Sequence, residues 1–304
     1  MKRIALGLFL ILMVSGISAF GQARKSSRSL TVLTAPDASV WLDGVFRGTA
    51  VDGKLVMKIV LPGAHSLKVR AFGFKEVTRP IGAGETQVSI PLEKTLDRAE
   101  IAFQNAEKQL SEDKSKAIEL YEEALRLNPK YMDALIGLAR ASSDEGDYAG
   151  AHAAIKKARL IKPLNAEAST VEGRIYKSEG EIDKAIDSFE RAIREGKGFQ
   201  PEAYTGLALI FKEEAETAAS SSDYELEKLN YEEAVGYFEK AIDQLSGTEP
   251  VVYLLLGQIY EKTKQNPKAI AVYERFLRDC PDHEERPAVE SFIVQLKKPA
   301  PKVM

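Results

Sequence analysis

The stretch AIELYEEALRLNPK, residues 117–130, returns 34 residues later as AHAAIKKARLIKPL, residues 151–164. Ala117, Tyr121, Ala124 and Pro129 become Ala151, Ile155, Ala158 and Pro163. The same spacing places Ala185, Phe189 and Ala192 next, with Lys197 in the proline's place. Two later sets follow, Ala234/Phe238/Ala241 and Ala269/Tyr273/Phe276/Pro281. Upstream of the last four sets lies a second apolar pattern: Leu135/Leu138/Ala139 before Gly146, Gly173/Tyr176 before Gly180, then Tyr204/Leu207/Ala208/Phe211 and Tyr253/Leu256/Gly257/Tyr260. Apolar residues three and four apart predict amphipathic helices, and the fixed period predicts a stack of repeated helix pairs. Small residues let two helices approach, aromatic rings fill the space between pairs, and Gly146 and Gly180 allow a tight turn. An ordinary helical bundle has no reason to hold a 34-residue register.

These residues resemble the tetratricopeptide repeat (TPR), which implies antiparallel helix pairs stacked into an all-α solenoid spanning 96–283. Five units fit, at about 98–131, 132–165, 166–199, 201–249 and 250–283. The first lacks the usual aromatic residue and glycine of its leading helix. The third has Ser169 and Glu172 where leucine is expected, which predicts looser packing. The fourth carries an insertion, 214–230, expected to lengthen both helices around a serine-rich turn. Beyond Pro281, residues 284–298 read as a capping helix with Ala288, Phe292, Ile293 and Leu296 on one face, and 299–304 as a flexible tail. The resemblance also implies a groove lined by the second, fifth, ninth, twelfth and thirteenth residues of each unit. In unit two these are Asp133, Ile136, Arg140, Ser143 and Asp144; in unit three, Glu167, Thr170, Arg174, Lys177 and Ser178. Units four and five contribute Thr205, Leu209 and Lys212, then Val251, Leu254 and Gln258. Arg140, Arg174, Lys177 and Lys212 form a basic row able to hold a carboxylate or an acidic peptide. Equally, the row can pair with Asp133, Asp144 and Glu167 inside the same groove. The Lys and Asn of a carboxylate clamp are missing at the fifth and ninth positions, which argues against a chaperone-tail receptor. His152 is expected at the surface or between units.

Residues 24–95 have a different texture. Short alternating segments, Ser29–Thr34, Ser39–Leu42, Val45–Gly48, Lys54–Leu61, His65–Ala71 and Thr86–Leu92, are separated by turn residues. Among these turns Asp43-Gly44 is a strong two-residue hairpin signal. About seven strands predict a small antiparallel β-sandwich. The run from Thr34 to Gly44, then Gly48, Leu61–Val69 and Gly73-Phe74, resembles the PEGA domain of bacterial and archaeal envelope proteins. Pro36-Asp37-Ala38 departs from the family's name motif. The resemblance implies a non-catalytic module joined to other domains. Trp41 is expected as filler rather than as a sugar platform, and Asp43 and Asp52 as turn formers.

Met1-Lys2-Arg3, an apolar run from Ile4 to Phe20 and the small residues Ala19, Gly21 and Ala23 predict a secretory signal peptide, 1–23. Cleavage after Gly21 or after Ala23 fits equally. The alternative is an uncleaved anchor, with no membrane span expected after it. The chain has 304 residues, one cysteine and three scattered histidines. That composition disfavours disulfide frameworks, cysteine-rich metal centres and His-based catalysis. No phosphate loop, nucleophile elbow or HExxH motif occurs. Neither an enzyme nor a metal or cofactor site is expected. Cys280 reads as filler.

The net charge of −3 conceals an asymmetry. Residues 24–95 hold 11 basic and 6 acidic side chains, a net of +5; residues 97–304 hold 29 and 39, a net of −10. A total so nearly balanced does not suggest a basic nucleic-acid binder, and nucleic acid is not an expected partner. Unlike surfaces predict separate partners for the two halves or a contact between them. The functional expectation is an exported, non-enzymatic adaptor in the periplasm or on the surface of a bacterium. It binds a protein or peptide in the TPR groove through Ile136, Arg140, Arg174, Lys177, Thr205, Leu209, Lys212, Leu254 and Gln258. Its β module contacts an envelope component. The alternative is a structural envelope protein whose β module contacts surface glycan while the repeats act as spacer or self-association unit.

Overall fold

The computed structural model describes residues 27–298; the signal-peptide segment and the tail 299–304 lie outside them. Seven strands come first: β1 Arg28–Leu33, β2 Ser39–Leu42, β3 Val45–Thr49, β4 Lys54–Val60, β5 His65–Arg70, β6 Val77–Ile81 and β7 Gln87–Ser89. Eleven helices follow: α1 Arg98–Gln109, α2 Lys114–Leu127, α3 Met132–Asp144, α4 Tyr148–Ile161, α5 Ala166–Glu179, α6 Ile182–Glu195, α7 Pro201–Ser220, α8 Tyr224–Leu245, α9 Pro250–Lys262, α10 Asn266–Asp279 and α11 Arg286–Leu296. The chain is thus a small two-sheet module followed by a helical solenoid.

One sheet has the order β4-β1-β7 and the other β3-β2-β5-β6. Alternation decides which side chains meet between them: Leu30, Val32, Val40, Leu42, Leu67, Val69 and Ile81 are all almost fully buried. Leu42 pairs with Val45 across Asp43-Gly44, both at positive φ of 54° and 82°, the geometry of the type I′ turn. Asp43 does more than turn the chain. Its carboxylate accepts from the Ser66 amide at 2.8 Å and lies 2.6 Å from His65 Nδ1, tying the hairpin to β5.

Two features differ from an all-antiparallel sandwich. β7 lies parallel to β1, Thr31 opposite Gln87, because the chain crosses from β6 to the other sheet and arrives running in the direction of β1. β6 itself contains Pro80; as an edge strand it tolerates the missing N–H.

In the solenoid an aromatic ring fills the helix pairs except α3–α4, where Ile155 takes that place. The Phe189 ring lies between Gly173 of α5 and Gly206 of α7; a Cβ added at either would stand 2.7 or 2.5 Å from it. Gly257 abuts Tyr273, where a Cβ would stand 2.2 Å from the ring. Side-chain oxygens of Asp113, Asp147, Asn165 and Asp223 accept from first-turn amides and start α2, α4, α5 and α8. Residues 214–230 extend α7 and α8 to 20 and 22 residues around Ser221-Ser222. α11 covers the last pair through Val289 and Ile293, whereas Phe292 stays 39% exposed, its ring 5.8 Å from that of Tyr273.

Unit three is not loosely packed at its polar positions. Ser169 is fully buried; Arg159 donates to Ser169 Oγ and to Glu172, each at 2.8 Å. Ser169 in turn donates to Glu195 Oε2 at 2.6 Å, and Arg191 also pairs with Glu172. A satisfied ionic network replaces the leucine contacts, its members contributed by α4, α5 and α6.

Gly257→Ala is expected to cost roughly 1–3 kcal/mol through overpacking against Tyr273. Gly236→Ala, where nothing lies within 4 Å of the added Cβ, is expected to stabilise by roughly 0.5–1 kcal/mol. Urea unfolding of both variants checks the pair.

Candidate interaction surface

The β module sits against the face built by the first helices of the pairs, and Arg70 organises the contact. Arg70 ends β5 with 13% of its side-chain surface exposed. It donates through Nε to Glu76 at 3.0 Å and through Nη2 to Asp133 of α3 at 2.6 Å; Glu107 of α1 lies 3.8 Å from Nη1. The guanidinium also lies over the rings of Phe103, at 4.6 Å, and Trp41, at 5.4 Å. Burial alone would lower the Arg70 pKa, but the carboxylates of Glu76, Asp133 and Glu107 raise it above the ordinary value.

Beside Arg70 the attachment is backbone-directed. Gln104 of α1 is 5% exposed; its Oε1 accepts from the Gly73 amide at 2.7 Å, and its Nε2 donates to the Phe74 carbonyl at 2.8 Å. Glu100 accepts from the Glu76 amide at 3.0 Å. At the other end of the module Arg47 Nη1 donates to the Leu245 carbonyl at 2.8 Å, and Val45 packs into the core shared with α8 and α9. Lys58 pairs with Asp282 at 2.5 Å, both well exposed. Arg47 forms no ion pair among the described residues and its Nε is buried without an acceptor; burial lowers its pKa against the opposing pull of the Asp43 carboxylate.

The charge pattern of the helices explains this placement. Asp133, Glu167 and Glu202 each occupy the second residue of a leading helix, and Glu249 precedes α9, positions where a helix dipole favours an anion. This acidic row faces the outer surface of the second sheet, which carries Trp41, Phe46, Lys68 and Arg70. A cavity of about 250 Å³ lies in the seam, lined by Trp41, Phe46, Lys68, Arg140, Glu202 and Glu249 among others. Loss of hydration pushes the Glu167 carboxyl up despite the pull of Arg140, although half its side chain still meets solvent. Glu249 is pushed up by lost hydration and then by Glu202.

The groove positions expected from the repeat pattern divide three ways. Ile136 is 2% exposed and packs with Ile155 and Val171 between units, so its side chain is not available to a ligand. Leu209 and Leu254 are half-buried against the α7–α10 core, and Thr205 Oγ1 donates to the Pro201 carbonyl at 3.0 Å. Arg140 lies in the seam, paired with Glu167 at 3.2 Å and near Glu202 at 3.8 Å. Arg174, Lys177, Lys212 and Gln258 do not line the seam cavity; Arg174 lies beside Arg140, with Asp144 in the same small pocket. Lys177 pairs with Glu213 at 2.9 Å and Lys212 with Glu216 at 2.8 Å. Arg174 and Gln258 are exposed, and among the described residues no ion pair or side-chain hydrogen bond forms at Arg174.

His152 contacts Glu179 at 2.9 Å and the Tyr176 ring, joining units two and three. Cys280 is buried, its thiol pushed up to about 11 by burial. Residue-by-residue reading missed Arg70, Arg47, Lys58 and Gln104; the opposite charges of the two halves were the available signal. Among the described residues no metal-binding cluster occurs, and no helix is long and apolar enough to cross a membrane.

Residues 111–175, 166–195 and 221–284 match tetratricopeptide-repeat family models. No curated protein sequence matches the chain. Solved structures of similar fold include MamA, 22% identical over 64% of this chain and 96% of its own, with a TM-score of 0.43. The human IFIT1 dimer with m7Gppp-AAAA is 20% identical over 64% of this chain and 43% of its own, at 0.50. Yeast Tom70 is 17% identical over 66% and 40%, at 0.52. The chain spans less than half of the latter two, and the likeness is one of fold.

Arg70→Ala leaves three carboxylates without their shared cation. The expected loss is about 2–3 kcal/mol, below the range for a fully buried pair because the carboxylates are partly solvated; thermal unfolding measures it. A carboxyl raised in the folded state stabilises fully below its ordinary value of 4.5 and loses that contribution as pH rises through the folded value. Glu249→Gln is therefore expected to raise the melting temperature at pH 7.5 and to leave it unchanged near pH 4.

Proposed function

Since the chain is a tetratricopeptide-repeat protein, a class of non-catalytic protein-interaction scaffold, we propose that it is an exported adaptor of a bacterial cell envelope. The observation that carries this reading is the division of the leading-helix face. The PEGA-like β module covers the acidic row at the helix starts, and a stretch holding Arg174, Lys177 and Lys212 remains open. Arg174 stands exposed there, with Lys177 and Lys212 beyond it held only by single exposed or half-exposed carboxylates. A partner's acidic segment can take over those carboxylates' places through charge-assisted hydrogen bonds. The face next to the seam is already occupied, so the ligand follows one edge of the groove rather than filling it. Export rests on the basic start, apolar run and small residues of 1–23, and the periplasm or cell surface is the compartment proposed.

The glycan-contact alternative loses its best platform. Trp41 is half-buried, with Lys68 at 5.1 Å and Arg70 at 5.4 Å from the ring centre, so a sugar ring has little open aromatic face to stack on.

Arg174→Glu/Lys212→Glu is expected to reduce recovery of the co-purifying envelope protein at least about tenfold, a loss of about 1.4 kcal/mol in binding. Affinity purification of tagged full-length chain from the native host measures it. Unchanged recovery would remove the open stretch of the groove as the binding surface. The same purification tests export by terminal sequencing, with Gln22 or Arg24 expected as the first residue.

A further inference from the structure

The two ends of the β module are held by different physics. At α1 the grip is directional and satisfied: Gln104 bridges Gly73 and Phe74, Glu100 takes the Glu76 amide, and Arg70 is enclosed by carboxylates. At α8–α10 the grip consists of one exposed ion pair, Lys58–Asp282, the small side chain of Val45 and the Arg47 bond to a carbonyl. Arg47 is largely desolvated there, with Asp43 near but no ion pair formed among the described residues, and its Nε has no acceptor. Exposed pairs are screened by salt, and an unsatisfied buried donor favours the hydrated, open state.

The acidic row is also unevenly neutralised. Asp133, at the α1 end, has Arg70. At the far end Glu202 has only Arg140, at 3.8 Å, and Glu249 makes no ion pair among the described residues. These two line the seam cavity beneath Trp41 and Phe46. In a stack of repeats, where each unit contacts mainly its neighbours, opening one end leaves the other intact.

We infer that the β module is a clasp, fixed at α1 and releasable at α8–α10, and that its release admits a basic segment of a partner protein to the far half of the acidic row. The site is distinct from the open stretch around Arg174, which takes an acidic partner, and the two readings can fail separately. Lifting the far end frees Asp282 from Lys58 and clears the β module from Glu167, Glu202 and Glu249, whose carboxylates already meet solvent in the seam, so that a longer segment can reach them together with the Trp41 and Phe46 rings. Lysine or arginine side chains pair with the first group and lie over the second. The module's own Lys58 and Arg47 act as tethered competitors for that half of the surface.

The test uses the full mature chain with Cys280→Ser and spin labels at Leu61→Cys and Glu284→Cys, one on each side of the latch. Distances are measured by pulsed electron resonance in this background and in the latch variant Arg47→Ala/Lys58→Ala. A single short distance is expected in the parent at low salt. A second, longer population is expected in the latch variant and in the parent at about 1 M salt, where the screening length falls to roughly 3 Å. A single short distance in the latch variant would overturn the clasp. A fluorescent nonapeptide alternating Lys and Gly is expected to bind the latch variant at least about tenfold more tightly than the parent. That gain is expected to disappear with added Glu202→Gln/Glu249→Gln. Equal affinity for parent and latch variant, or a gain insensitive to those glutamates, would overturn the basic-partner assignment. Melting temperatures of all variants confirm that the comparison is between folded proteins.

Discussion

The arrangement depends on the Arg70 guanidinium and the carboxylates around it. It stands at the end of a β-strand, yet two of its three carboxylate neighbours belong to helices α1 and α3. Without that cation, Asp133 and Glu107 would be brought near Glu76 with no compensation, and the β module would have no electrostatic reason to meet the leading helices. With it, a basic sheet face and an acidic helix row become one surface. The rings of Trp41 and Phe103 lie against the guanidinium and shield it from water, while the three carboxylates stay partly solvated.

The solenoid supplies the repeated geometry that makes an acidic row possible. Because Gly137, Gly173, Gly206 and Gly257 let aromatic rings of neighbouring helices come close, the pairs stack at a regular spacing. Asp133, Glu167 and Glu202 then recur at the same end of successive leading helices. A row of helix N-termini already favours anions; it becomes a docking face once cations are presented to it, as β5 does with Lys68 near Glu167 and Arg70 on Asp133. Toward the other ends of those helices Arg174, Lys177 and Lys212 stand among carboxylates such as Glu213 and Glu216.

Much of this was legible in the residues. The 34-residue recurrence of Ala117, Tyr121 and Ala124 announced the helix pairs, since only a stacked array requires it, and Asp43-Gly44 announced its hairpin. Other features depend on partners distant in sequence. Ser169 and Glu172 looked like packing defects because Arg159, Arg191 and Glu195, which satisfy them, lie on neighbouring helices. β6 was hidden by Pro80, and the parallel pairing of β7 by the absence of any local sign of which sheet it joins. Ile136 was read as a groove residue because the repeat pattern counts positions, whereas the depth of a side chain depends on the neighbouring unit. The net charges of the two halves pointed to a contact between them. They did not identify Arg70, whose role follows from where β5 ends relative to α1 and α3.

The most direct test of the account is the coupling between Arg70 and Asp133, measured by a double-mutant cycle of Arg70→Ala, Asp133→Ala and the pair in reversible urea unfolding of the mature chain. An ion pair joining the β module to the solenoid predicts an interaction energy of about 1–3 kcal/mol at low salt, shrinking as salt is added. Single-variant effects that add to within about 0.3 kcal/mol would contradict it, because they would mean that the sheet face and the acidic row are not joined through this residue.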